Sequence, residues 1–175
     1  MRGQEETQAI LDNFQNVKDS DIEGFLKNKA IEYNNRKWSY TYLVIQDEPF
    51  ENGNLIIVEG YFTLSVKIVE LTDTVSNSTK KKLFFGTKTD SQALSTILIG
   101  QLGKYIGSDR ISLIDMEIIL DYAMDVIYQI DHRIAFPCTI LEYEPCRTGL
   151  RRKYDEYGFK ELQRPDEYVQ MFLIL

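Results

Sequence analysis

The chain has 175 residues, 43% of them apolar and 12% aromatic, enough to close a core without disulfide or metal staples. Its formal charge of -7 argues against a nucleic-acid binder working through bulk positive charge, because phosphate neutralisation needs clustered Lys and Arg. No apolar run reaches the length of a membrane span, the N-terminus has no apolar leader core, and Cys138 and Cys146 lack metal-type spacing. These features predict a cytoplasmic protein with reduced thiols, no metal and no membrane association.

Residues 1–19 are polar and weakly patterned and read as a loosely ordered arm with a short helix around 9–14; residues 20–175 read as one domain. Ser20 followed by Glu23 has the form of a capping box. Behind it Ile22, Phe25, Leu26, Ala30 and Tyr33 recur at helical spacing, predicting one helix over 21–34. The period then changes. Residues 40–46 (YTYLVIQ) predict a strand, Asn52-Gly53 is a turn signal, and 55–70 predict a long strand with a bulge or bend at Gly60. Residues 71–92 read as a polar connection with one short element at 82–85, the run Lys80, Lys81 and Lys82 being solvated.

Residues 94–105 form the most buried-looking strand, followed by a loop over 106–111. Ser112 with Asp115 caps a helix reaching Ile130, its apolar stripe formed by Ile114, Ile118, Ile119, Tyr122, Val126 and Ile130. A strand over 134–142, kinked or edged by Pro137, leads to a short helix over 149–157 that Thr148 caps and Gly158 stops. Strands over 159–162 and 168–175 close the chain. The last is almost continuously apolar, is expected at the centre of the sheet, and is a candidate to pair across a homodimer. This order predicts an α/β (α+β) fold, a mixed and mostly antiparallel sheet whose strand-helix-strand unit makes one central parallel pair.

Several segments, in the right order, resemble one family. Tyr154-Asp155-Glu156-Tyr157-Gly158-Phe159 is similar to an "FY-x-x-x-GF" signature, with Lys153 in place of the first aromatic. Leu98-Ile99-Gly100-Gln101-Leu102-Gly103-Lys104 is similar to a fourth strand of the form "LIGRLAV", and Gly60-Tyr61-Phe62-Thr63-Leu64-Ser65 to a "GYxxLS" strand. Together they resemble the GCN5-related N-acetyltransferase (GNAT) superfamily, in particular its toxin-like subgroup, over residues 20–175. The resemblance implies a parallel strand pair that splays to admit acetyl-CoA, the co-substrate. It implies that Leu102, Gly103 and Lys104 offer backbone groups to the pantetheine arm and the thioester oxyanion. It puts the pyrophosphate at the N-terminus of the next helix, with Arg110, Ser112, Ile114, Asp115 and Met116 around it. Tyr154 is the implied general acid for the departing thiolate. The implied acceptor is a primary amine on a small molecule, a protein or an aminoacyl-tRNA.

The family's phosphate loop, Q/R-x-x-G-x-G/A, has no counterpart; residues 111–117 read ISLIDME. Two readings follow: an acetyltransferase that holds CoA through backbone contacts, or a catalytically inactive GNAT-fold module that binds or inhibits a protein partner, its acidic surface suited to a basic one. Cys138 and Cys146 read as small hydrophobes rather than nucleophiles, and His132 as a surface residue. Glu142, Glu144 and Glu59 are candidate general bases, with strand-edge charges as the alternative.

Overall fold

A computed structural model describes residues 3–46, 56–87 and 91–175. Six strands form one sheet in the order β1-β2-β3-β4-β6-β5, the strands being β1 (Tyr40–Ile45), β2 (Val58–Glu70), β3 (Ala93–Lys104), β4 (Cys138–Tyr143), β5 (Lys160–Gln163) and β6 (Val169–Ile174). The helices are α1 (Gln4–Asp12), α2 (Ser20–Asn28), α3 (Ala30–Asn35), α4 (Asn77–Leu83), α5 (Met116–Asp131) and α6 (Thr148–Tyr157). β3 and β4 are the parallel pair, registered from Ile97↔Thr139 to Ile99↔Leu141. β1 with β2, β4 with β6, and β5 with β6 are antiparallel. The mixed sheet with one parallel pair agrees with the predicted fold class. β6 has β4 on one side and β5 on the other, so both its edges are paired within the chain and it is not a free edge for a second copy.

Several boundaries differ from expectation for local reasons. The helix predicted over 21–34 is two helices, broken at Lys29 (φ -123°, ψ -28°). Asp19, not Ser20, caps α2, its carboxylate accepting from the Asp21 and Ile22 N–H groups at 3.1 and 3.3 Å. Glu23 does not close a capping box; it accepts from the Asn16 N–H at 2.8 Å and pairs with Lys27 at 2.6 Å. The arm contains helix α1 and buries Leu11 and Phe14. In the polar connection the short element is α4, earlier than predicted and capped by Ser76, and Lys80, Lys81 and Lys82 lie in its last turn, where they complement the helix dipole. Pro137 precedes β4 rather than interrupting it. Thr148 makes no cap on α6, whereas Gly158 ends that helix at φ 115° as predicted. The Asn52-Gly53 turn and the start of the predicted 55–70 strand lie outside the described residues.

The chain divides into two compact units, Met1–Leu64 with Gln101–Ala123, and Ser65–Gly100 with Met124–Leu175. In the first, Tyr61 is fully buried and organises the core: Phe14 meets it edge-on at 5.6 Å, Phe25 stacks on it at 6.2 Å, and its hydroxyl donates to the Ile22 carbonyl at 2.7 Å. Each such ring contributes about 1.5–3 kcal/mol by burial. In the second unit Val69, Leu83, Leu94, Cys138, Ile140 and Phe172 form the centre of a separate cluster.

Two glycines let backbone and rings approach closely in the first unit. A Cβ on Gly60 would lie 2.5 Å from Ile119 Cδ1 and 2.8 Å from the Gly103 carbonyl oxygen. A Cβ on Gly103 would lie 2.2 Å from Tyr61 Cε1 and 2.8 Å from Ile22 Cγ2. Gly103→Ala should therefore destabilise the fold by about 2 kcal/mol through overpacking, read as a lower urea midpoint at unchanged slope. An unchanged midpoint would mean that the Tyr61 ring moves aside freely.

Candidate functional site

The predicted cofactor-binding residues fall in the first unit, on the end of β3, the loop after it and the start of α5. The β1–β2 register shifts between Val44↔Gly60 and Ile45↔Val58, leaving Glu59 as the extra residue of a bulge beside Gly60. A bulge re-aims the side chain it carries, and Glu59 is 2% exposed. Its carboxylate receives Arg110 Nη1 at 2.6 Å, Gln46 Nε2 at 2.8 Å and the Leu113 N–H at 3.1 Å. Arg110 also donates to the Val58 carbonyl at 2.7 Å and lies over the Tyr105 ring at 3.5 Å. Tyr105 donates its hydroxyl to Asp109, and burial, with that bond second, pushes its phenol up to about 12. Arg110 thus serves an internal ion pair, and Glu59 is held by three donors.

The start of α5 is capped from within the chain. Asp115 Oδ1 accepts from the Glu117 N–H at 3.0 Å and the Ile118 N–H at 3.1 Å. Ser112 Oγ donates to the Ile114 carbonyl at 3.2 Å and receives the Ile114 N–H at 3.4 Å. Met116 is the first residue of the helix. The helix terminus is therefore an anion site in the ordinary sense of free N–H groups and dipole, and Asp115 is the anion. The Asp115 residue is exposed.

At the end of β3 the Tyr105 N–H donates to the Glu59 carbonyl at 2.8 Å. Its neighbours face the opposite edge, where residues 15–17 lie alongside. Asn16 Nδ2 donates to the Lys104 carbonyl at 3.1 Å, the Ile106 N–H to the Gln15 carbonyl at 2.9 Å, and the Val17 N–H to the Ile106 carbonyl at 2.9 Å. Gly103 is buried beneath Tyr61, and Leu102 is half-buried. The reading of the sequence missed Asn16. Its side chain also accepts from the Lys18 and Asp19 N–H groups at 3.1 and 3.0 Å, an Asx turn for which Asn before a helix cap is the available signal.

Tyr154 lies in the second unit, on α6, 6% exposed. Its ring packs on Tyr143 at 5.8 Å and Phe159 at 6.2 Å. Burial, then Tyr143, pushes its phenol up to about 12, so it stays protonated where an ordinary tyrosine ionises. Glu142 is held by Lys67 Nζ at 2.6 Å and by Gln170 Nε2 at 2.5 Å. Glu144 is exposed and receives Arg147 Nε at 3.2 Å. Cys138 is buried, which pushes its thiol up to about 12, away from nucleophilic use, while Cys146 is exposed. His132 is on the surface. Among the described residues no group of His, Cys, Asp and Glu is arranged to hold a metal, and no helix is long and apolar enough to cross a membrane.

No protein-family model and no curated protein matches the chain. Solved structures do. AtaT complexed with acetyl-methionyl-tRNAfMet superposes with a TM-score of 0.71 at 18% identity, covering 94% of this chain and 86% of that one. AtaTR bound with acetyl-CoA gives 0.68 at 17% identity, with the same coverage. A tyrosine-to-phenylalanine variant of KacT gives 0.70 at 14% identity, again covering 94% and 86%. The chain has the GNAT fold.

The Glu59–Arg110 pair gives a direct test. Glu59→Gln leaves a guanidinium that is largely buried without its counter-charge and should destabilise the protein by about 3 kcal/mol in chemical unfolding. A variant as stable as the parent would show that the bulge does not depend on the pair.

Proposed function

We propose that the chain is an acetyl-CoA-dependent N-acetyltransferase acting on a primary amine. The observation that carries this reading is the agreement of fold over 94% of the chain with AtaT, whose structures include complexes with acetyl-CoA and with acetyl-methionyl-tRNAfMet. Bound acetyl-CoA supplies an activated acyl group as its thioester. Tyr154 is the proposed general acid: a phenol held neutral by burial has a proton at Oη to give as the C–S bond breaks. The backbone of Leu102, Gly103 and Lys104 is the proposed contact for the pantetheine arm. The turn from Arg110 through Ser112, Ile114, Asp115 and Met116 is the proposed place for the diphosphate, entered by exchange with the Asp115 carboxylate. The acceptor is a small-molecule amine, a protein amine or an aminoacyl-tRNA; the -7 charge favours the first two, since an RNA phosphate backbone is repelled by an acidic chain.

A second reading has its own observation. Asp115 caps α5, Glu59 holds Arg110, and Asn16 holds the Lys104 carbonyl, so three of the groups expected to meet CoA already have partners in the chain. A GNAT-fold binding or inhibitory module that works through protein contact accounts for this arrangement.

Calorimetric titration with CoA and acetyl-CoA separates the two. The enzyme reading expects binding, and expects Asp115→Ala to bind CoA about tenfold tighter, ~1.4 kcal/mol, while losing about 1 kcal/mol of fold stability with its cap. No heat at about millimolar ligand for either protein overturns it in favour of the module. Tyr154→Phe should keep CoA binding and lose most turnover; parent-like turnover removes Tyr154 from the reaction. With its phenol pushed up to about 12, turnover assigned to Tyr154 should show no alkaline loss centred near pH 10, whereas such a loss would assign the proton to an ordinary exposed group.

A further inference from the structure

Within the first unit, the loop before α5 and the first turns of that helix expose large apolar side chains to solvent. Ile111 is 88% exposed and Leu113 74%, and Tyr122 is 50% exposed one helical turn after the half-open Ile118. A loop able to move folds such side chains inward. This one is fixed: Arg110 is clamped on Glu59 and the Val58 carbonyl, the Leu113 N–H is bonded to Glu59, and Asp115 caps the helix. The apolar groups are therefore held outward by polar bonds of the loop and the cap, an arrangement that raises the free energy of the isolated chain and lowers the ordering cost of whatever covers it.

The charges around the patch identify the chemistry of the cover. From Ile111 to His132 there is no Lys or Arg. The carboxylates of Asp115, Glu117 and Asp121 sit between and beside the apolar positions on exposed residues. Phosphate-bearing surfaces, whether nucleic acid or anionic lipid, are repelled by such a face. A second copy presenting the same face brings like charges together. We propose that this face docks a basic amphipathic segment of another protein, a helix with Leu-type anchors at i, i+4 and Lys or Arg beside them. Apolar anchors seat on Ile111, Leu113, Ile118 and Tyr122, and the flanking cations meet Asp115, Glu117 and Asp121. This rests on the second reading, the binding module, because the Asp115 turn is also the place proposed for the diphosphate and holds only one of the two.

The test uses the full chain and a fluorescent Leu/Lys amphipathic peptide about eighteen residues long, five helical turns, with its Leu/Glu counterpart as control, read by anisotropy. The Leu/Lys peptide should bind and the Leu/Glu peptide should not. Leu113→Ser and Tyr122→Ser, both at exposed positions, should each weaken binding about tenfold. Glu117→Lys should do the same, and Glu5→Lys, the same charge change on α1, should change it less than about twofold. Three results overturn the proposal: parent-like binding by Leu113→Ser; equal weakening by Glu5→Lys and Glu117→Lys, which marks diffuse attraction to an acidic chain; or self-association of the parent that Leu113→Ser abolishes, which makes a second copy the occupant.

Discussion

A carboxylate at 2% exposure must find both counter-charge and hydrogen bonds inside the protein, and Glu59 finds them in Arg110, Gln46 and the Leu113 backbone. Removing an ionised side chain from water costs several kcal/mol, so such a group persists only where its partners are fixed. Here the partners come from separate stretches of chain, the end of β1, the loop after β3 and the approach to α5. The bulge that turns Glu59 inward therefore also determines where the loop runs and how α5 begins. Two points of the turn expected to meet a diphosphate, Arg110 and the Leu113 N–H, are held by that one side chain.

Element type and order were legible because they rest on period and punctuation. The β-formers of β1 and the stop at Gly158 are local signals, and the parallel β3–β4 pair follows from the strand-helix-strand connection. The stripe read on α5 was misplaced: of its six residues only Ile119 is buried, Ile118 and Tyr122 are exposed, and the buried face is completed by Leu120, Ala123, Met124 and Ile127. What was not legible was decided by competition or by distance. Ser20 was expected as the cap, and Asp19, one residue earlier with a charged acceptor, took the role. Glu23 matched a capping box but found the Asn16 N–H and Lys27. Asn16 acts through Lys104, 88 positions away, and nothing in the local pattern of either residue signals the other. Arg110 was read as a ligand for an external anion, and only the folded chain shows that Glu59 is the anion it meets.

The same substitution of inner partner for outer partner recurs at α5. Asp115 gives the helix terminus what a phosphate would give it, negative charge and acceptor oxygens, at the entropic advantage of being covalently attached. An external anion competes against a group at high effective concentration. At the proposed diphosphate place, affinity would be set by one exposed side chain.

The close approach at Gly60 and Gly103 bears on how sequence signatures persist. Gly103 sits in the segment that resembles a cofactor-binding strand, yet the atoms a Cβ would strike belong to Tyr61 and Ile22 of its own core. Gly60 is likewise closed off by Ile119 and by the Gly103 carbonyl. Both glycines would be retained under selection for folding alone, in descendants that had lost any use for a ligand. In this architecture a surviving glycine in the strand reports on packing rather than on a ligand.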